Sequence, residues 1–187
     1  MKRIIICILC LTTSGILFGQ DQPKNLIGIS AGIVPFGDAY FDMPINAWPD
    51  RESSPVGQVF YARQVSEVFR IGSYLEYENA KFNNSSTKVI YSFSRYNLGI
   101  NWLGQFPKTS WHMQLGGYFG YGFLIAKDWD NLKGVDLGLI IGPAYEKNKF
   151  GMALHMQGGH AWYGSSGTPE GVMLYYPKFL LKFYYKL

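Results

Sequence analysis

The last residues of the chain alternate between apolar and polar side chains. The apolar set occupies the odd positions Met173, Tyr175, Pro177, Phe179, Leu181, Phe183, Tyr185 and Leu187. The even positions include Lys178, Lys182 and Lys186. Successive side chains of a β-strand point to opposite faces, so this pattern predicts a strand with one aromatic face and one lysine-bearing face. The strand alone allows either face to turn inward.

Seven further segments show the same period of two and are bounded by turn residues. The eight predicted strands are residues 25–36, 56–64, 69–82, 88–103, 111–127, 135–145, 150–162 and 172–187. Prolines at positions 143 and 177 each remove a backbone donor, so local bulges are expected there. The chain is therefore predicted to be all-β.

The connections between these strands alternate between two classes. Those after the second, fourth and sixth strands are short, at residues 65–68, 104–110 and 146–149. The others are mostly longer and richer in turn or polar residues, at 37–55, 83–87, 128–134 and 163–171. An even number of antiparallel strands, with tight turns at one end and loops at the other, is typical of an outer-membrane barrel. Both termini then lie at the tight-turn end.

Two compositional features support a barrel with its apolar face outward. Aromatic residues flank all three short turns, as in an interfacial girdle, and comprise Trp102, Trp111, Tyr145, Phe150, Phe60, Tyr61 and Phe69. The alternative is that hairpins favour cross-strand aromatic pairs. The polar face is rich in glycine, which suits the narrow lumen of an eight-stranded barrel. A soluble, lipocalin-like barrel with the same alternation turned inside out remains an alternative.

The N-terminus predicts export. Lys2 and Arg3 precede an apolar stretch at 4–11, and we expect a signal peptide at 1–19, cleaved after Gly19, followed by a barrel domain at 20–187. Both cysteines leave with the signal, which excludes disulfides and thiolate metal sites. Removing Lys2 and Arg3 lowers the net charge from +4 to +2, which argues against nucleic-acid binding.

These features resemble a known family, the small eight-stranded outer-membrane β-barrel proteins of Gram-negative bacteria, in the outline of OmpX, OmpW and the OmpA transmembrane domain. The resemblance rests on the signal ending at 17–20, the eight amphipathic segments and the terminal strand. It implies an antiparallel up-and-down transmembrane β-barrel in the outer membrane, in contact with lipid and lipopolysaccharide. It also implies that the barrel-assembly machinery reads the terminal strand, through Phe179, Phe183, Tyr185 and Leu187; the family usually ends in Phe.

A charged interior is the first candidate site. The inward positions carry Arg70, Glu76, Glu78, Arg95, Asp136, Lys178 and Lys182. An unpaired ion in a narrow lumen costs several kcal/mol, so we expect these groups to pair, with the two lysines directed towards Glu76, Glu78 and Asp136. The alternative is a gated ion path or a ligand cleft.

The longest loop is the second candidate. It carries Tyr40, Phe41, Trp48 and Arg51, and aromatic rings among charges suit a contact surface for a protein, polysaccharide or lipopolysaccharide. The same residues are equally suited to folding over the barrel mouth.

Metal binding and catalysis have weak support. His155 and His160 are five residues apart and fall on opposite faces of one strand, so no metal site is predicted. Lipid A-modifying barrels pair a His with a nearby Ser and an acidic residue, and His160, Ser165, Ser166 and Glu170 cluster near the last loop. However, no serine stands two residues after either histidine.

The sequence thus predicts a monomeric, non-enzymatic outer-membrane barrel with a packed polar interior, no cofactor and loops for surface interaction or envelope integrity. The alternatives are ligand transport or binding at the barrel mouth, and a lipid A-modifying enzyme.

Overall fold

The computed structural model describes residues 25–42, 50–84, 89–106, 109–126, 131–164 and 171–187. The predicted signal peptide at 1–19 lies outside these residues. The strands are β1 (Asn25–Val34), β2 (Asp38–Asp42), β3 (Asp50–Arg51), β4 (Ser54–Ser66), β5 (Phe69–Asn84), β6 (Val89–Phe106), β7 (Trp111–Ala126), β8 (Leu132–Lys147), β9 (Phe150–Gly164) and β10 (Gly171–Lys186). Within the described ranges, no helix is long and apolar enough to cross a membrane.

Eight of these strands form a closed ring. β1 pairs antiparallel with β4, and each strand from β4 to β9 pairs antiparallel with the strand that follows it. The ring closes where β1 pairs with β10, from Leu26 opposite Lys186 to Ile33 opposite Phe179. This confirms the predicted eight-stranded up-and-down barrel. Several strands are longer than predicted. β5 continues to Asn84 where the prediction ended at 82, and β8 runs from Leu132 to Lys147 where the prediction gave 135–145.

The first long connection contributes to the wall as well as to a loop. β2 pairs with the first half of β10, and β3 pairs with the end of β5. The two short strands meet where Asp38 lies opposite Asp50. They extend the ring beyond the ends of β1 and β4, so part of the segment predicted as a loop is barrel wall.

The bulge expected at Pro143 is not present, whereas the wall opposite Pro177 is irregular as expected. The β8–β9 register is the same on both sides of Pro143, with Ile141 opposite Met156 and Ala144 opposite Ala153. Pro177 keeps its place in the β9–β10 ladder. On its other side, β2 ends its pairing at Tyr175 and β1 begins at Phe179. Between these two pairs, four residues (34–37) face three (176–178), so the facing strand bulges by one residue opposite Pro177, as expected where a ladder donor is missing.

The outer wall is apolar and the interior is polar. Outward side chains include Leu139, which is 71% exposed, and Ile29, which is 61% exposed, whereas the inward Glu76 and Arg95 are 0% exposed. A soluble barrel has the opposite arrangement, since burying apolar surface drives folding in water. The orientation is that of a barrel surrounded by lipid.

Candidate functional site

An ionic cluster from four strands fills the middle of the barrel. Glu76 Oε1 lies 2.5 Å from Arg95 Nη2 and 2.7 Å from Lys178 Nζ. Arg95 also lies 2.8 Å from Glu78 and 3.4 Å from Asp136, and Lys178 lies 3.6 Å from Asp136. All five side chains are fully buried. We call this set of five the central cluster.

Neutral donors contact each of the three carboxylates, although Asp136 Oδ1 is buried without a hydrogen-bond partner among the described residues. Glu76 accepts from Gln58 Nε2 at 2.5 Å, and Glu78 accepts from Ser54 Oγ at 2.6 Å. Asp136 Oδ2 accepts from Asn97 at 2.9 Å and from the Tyr176 hydroxyl at 2.8 Å. Buried ions can balance their desolvation cost only when they are both paired and hydrogen-bonded, and this cluster meets both conditions.

Arg51 contacts the central cluster from its loop side. The sequence analysis placed this residue on an exposed contact surface, and that prediction is wrong. Its side chain is buried and forms an ion pair with Glu78. Its guanidinium carbon lies 5.5 Å from the centre of the Phe82 ring and 4.9 Å from that of Tyr176. The inward turn follows from β3, whose pairing with β5 makes residue 51 part of the wall.

The other three residues of the predicted contact surface are less fully described. Trp48 lies outside the described residues. Tyr40 and Phe41 belong to β2, and only their backbone is described.

An apolar layer lies on the loop side of the central cluster. Phe82 and Phe93 pack edge to face with their ring centres 5.8 Å apart. The rest of this buried cluster is Val34, Ala39, Val56, Ala80, Leu124, Leu132, Ala161, Tyr163, Val172, Leu174, Tyr176 and Leu180. The interior therefore changes from ionic to apolar towards the loop end.

A second ionic cluster lies at the tight-turn end of the barrel. It contains Arg70, which therefore does not belong to the central cluster. Glu146 lies 2.5 Å from both Arg70 Nη1 and Lys186 Nζ, and it accepts from the Tyr184 hydroxyl at 2.6 Å. We call these four residues the turn-end cluster. The sequence analysis missed Glu146 because it assigned residues 146–149 to a turn. Continuing the alternation of the sixth predicted strand through Ala144 would have placed it inward.

Lys182 lies between the two clusters and pairs with neither. It is 3% exposed, and among the described residues no carboxylate lies within ion-pair distance of its ammonium group. Its Nζ instead lies 4.8 Å from the centre of the Phe60 ring. The expectation that Lys182 pairs with Glu76, Glu78 or Asp136 is therefore wrong. Phe60, which was predicted in the outer girdle, packs against the buried interior clusters.

Glycines on one wall of the lumen make room for large inward side chains such as Tyr118. Inward positions of β7, β8 and β9 include Gly120, Gly138 and Gly159. A Cβ atom on Gly159 would overlap the Tyr118 hydroxyl, so that position requires glycine while Tyr118 keeps its place. The Tyr118 side chain of β7 therefore lies over the inner face of β8 and β9, in the space that these glycines leave free.

The three histidines do not gather at one site. His155 Nε2 lies 2.7 Å from Gln114 Oε1, and the Gln114 amide nitrogen lies 3.2 Å from His112 Nε2. His160 is on the outer wall, where its ring stacks on Trp162 with the ring centres 5.8 Å apart. In the described part of the chain, no group of three or more His, Cys, Asp or Glu residues is placed to hold a metal ion. Ser165, Ser166 and Glu170 lie outside that part.

The tight-turn end carries exposed aromatic side chains on its outer wall. Trp111 and Phe150 are 65% and 68% exposed, and Trp111 packs on Tyr145 with the ring centres 4.8 Å apart. Phe150 packs edge to face on Tyr185 of β10 at 5.2 Å. Amphipathic rings at one level of a barrel suit the interface between lipid and water.

Comparisons with known proteins show the fold. No family model matches the chain, and no curated protein matches its sequence. Among solved structures, the outer membrane protein OprG from Pseudomonas aeruginosa is 12% identical, with a TM-score of 0.61 over 90% of this chain and 98% of that one. Neisserial surface protein A is 11% identical, with a TM-score of 0.58 over 87% of this chain and 97% of that one. The chain has the eight-stranded barrel fold of these outer-membrane proteins.

Proposed function

We propose that this protein resides in the outer membrane as a non-enzymatic, non-conducting barrel that presents its loops at the cell surface. The closed ring and apolar outer wall support the membrane location. The central cluster carries the rest of the proposal, because it occupies the lumen that a pore or a transport path would need. Lipid and lipopolysaccharide are the partners that the outer wall suits.

The packing of the interior argues for a scaffold over a channel. A hydrated ion crossing the barrel would have to displace Arg95 from Glu76 and Glu78, and Lys178 from Glu76. It would then meet the apolar layer, where Phe82 and Phe93 offer no polar group. Breaking a buried ion pair costs about 3–5 kcal/mol, so opening this path at rest is unfavourable.

Planar-bilayer recording tests this proposal. Protein that has been shown to be folded by its heat-modifiable gel mobility is added to the bilayer, and we expect a flat current trace. A Phe82→Ala/Phe93→Ala variant, which thins the apolar layer but keeps the central cluster, should also give no steps. Discrete steps from the wild-type protein would contradict a non-conducting barrel.

The surface role rests on the first long connection, whose aromatic residues Tyr40, Phe41 and Trp48 remain a proposed contact surface. Arg51 is left out of this surface because it anchors the segment from inside through Glu78. Replacing the three aromatic residues with serine should lower adhesion to host-like or polysaccharide-coated surfaces without changing the amount of folded barrel. Unchanged adhesion would favour a purely structural role in the envelope.

A further inference from the structure

A continuous groove crosses the outer wall of the barrel. Its volume is about 880 Å³, and it lies between two rows of outward side chains that follow the strand register. The row nearer the loops runs from Leu98 of β6 to Tyr145 of β8, and the row nearer the tight turns runs from Ser73 of β5 to Lys147 of β8. The floor is the backbone of the inward residues between the rows, such as Gly28. The groove therefore runs across the strands.

The two ends of this groove lie at different depths in the membrane. Lys147 ends β8 beside a tight turn, whereas Leu98 lies in the middle of β6 (Val89–Phe106). Strands of outer-membrane barrels tilt by about 35–45°, so a row that runs across them climbs around the wall. The groove spans seven strands, which are spaced about 4.8 Å apart, so it is roughly 29 Å long. It leads from the tight-turn rim into the hydrocarbon core.

Two lysines stand at the rim end of the groove. Lys147 lines it, and Lys149 Nζ lies 5.6 Å from the centre of the Tyr185 ring, which lines it as well. Residues 131–164 contain two carboxylates, Asp136 and Glu146, and both are turned into the lumen. Within these residues, the outer side of the tight-turn rim therefore carries only positive charge.

The aromatic side chains at the tight-turn end set the level of these lysines in the membrane. Phe150 and Tyr185 pack together there and also line the groove. Such rings lie at the boundary between hydrocarbon and headgroups, so lysines in the adjoining turn lie among the headgroups. The tight turns of outer-membrane barrels face the periplasm, so these headgroups belong to the inner leaflet, which consists of phospholipid.

We propose that the groove binds one anionic phospholipid of the inner leaflet, with its phosphate at Lys147 and Lys149 and one acyl chain along the groove. This inference rests on the membrane location in the proposed function and adds the lipid class and its place on the wall. Ammonium groups attract a headgroup of net negative charge, whereas a zwitterionic headgroup carries its own compensating cation. The acyl chain lies between apolar side chains such as Ile29 and Phe183 as it rises from the rim.

Native mass spectrometry of the folded barrel in detergent tests this site. The probe is dioleoyl phosphatidylglycerol, and the reference is dioleoyl phosphatidylcholine, which has the same acyl chains and no net charge. We expect one phosphatidylglycerol molecule per barrel, with a dissociation constant roughly 10–30-fold lower than that of the reference.

Three variants separate the lysines from the groove. Lys147→Gln/Lys149→Gln should bind the two lipids equally. Lys81→Gln/Lys133→Gln, which removes two exposed lysines nearer the loop end, should keep the preference of the wild type. Ser73→Phe keeps every lysine but places a ring in the groove, so it should weaken the binding of both lipids.

The proposal is overturned by equal binding of the two lipids to the wild type, or by a preference that Lys147→Gln/Lys149→Gln retains. Unchanged binding to Ser73→Phe would overturn the path of the acyl chain. An adduct with the mass of a second barrel in place of a lipid would assign the groove to another copy of this chain. The membrane location is tested separately, because a barrel that does not float with phosphatidylcholine vesicles would contradict the proposed function itself.

Discussion

Lys178 Nζ of β10 lies 2.7 Å from Glu76 Oε1 of β5, although the two residues are 102 positions apart in the sequence. Neither strand is a neighbour of the other in the ring, so the ion pair crosses the lumen. Arg95 of β6 contacts the same carboxylate oxygen. The pair therefore helps to hold opposite walls together, as a hydrophobic core does in a soluble barrel.

Removing one partner of this pair should cost more than removing both. Lys178→Met leaves the carboxylates of the central cluster in excess and should lower the free energy of unfolding by about 3–5 kcal/mol, as for other broken buried pairs. The Glu76→Gln/Lys178→Met double variant restores the balance and should be more stable than either single variant. Urea unfolding in vesicles measures all three proteins, with Lys133→Met as the exposed control. Additive losses in the double variant would mean that the two residues act independently.

Two glycines of β9 should respond differently to the same substitution. A Cβ at Gly151 would overlap the ring of Tyr184, whereas nothing lies within 4 Å of a Cβ at Gly158. Gly151→Ala should lower the free energy of unfolding by about 1–3 kcal/mol through overpacking. Gly158→Ala should leave it unchanged or raise it by about 0.5–1 kcal/mol, since alanine loses less entropy on folding.

The Tyr184→Ala variant completes this test. Tyr184→Ala by itself loses the hydrogen bond to Glu146, so it serves as the reference. If the Tyr184 ring is the obstacle, adding Gly151→Ala to this variant should lower the free energy of unfolding only slightly further. An undiminished cost of Gly151→Ala in that background would place the obstacle in the backbone.

The lipid-facing wall should show a depth-dependent cost of charge. Leu139 lies near the middle of β8 and is 71% exposed, and Phe150 at the tight-turn end is 68% exposed. In a bilayer, Leu139→Arg should lower the free energy of unfolding by about 2–4 kcal/mol, and Phe150→Arg should lower it by about 0–1 kcal/mol. Urea unfolding of each variant in phospholipid vesicles measures these losses. Equal small costs would indicate that water, and not lipid, surrounds the middle of the barrel.

Alternation along the sequence was enough to assign faces but not partners. The period of two placed Arg95, Asp136 and Lys178 inward, where the structure finds them. It carries no information on the register between distant strands, so Arg70 was grouped with Glu76 when its partner is Glu146. Arg51 was misplaced for another reason: a two-residue strand is too short to show a period, and only its pairing with β5 turns the side chain inward.

The C-terminal residue gives a test that separates assembly from stability. The Leu187 backbone N–H donates to the Asn25 carbonyl at 2.8 Å, so the end of the chain helps to close the ring. The Leu187 side chain is 66% exposed, so Leu187→Phe and Leu187→Asp should each change the free energy of unfolding by no more than about 0.5 kcal/mol. If the terminal strand is read by the barrel-assembly machinery, Leu187→Phe should raise the folded amount in the outer membrane of a Gram-negative host, and Leu187→Asp should lower it. A fall in purified stability that matches the fall in cells would assign Leu187 to packing instead of recognition.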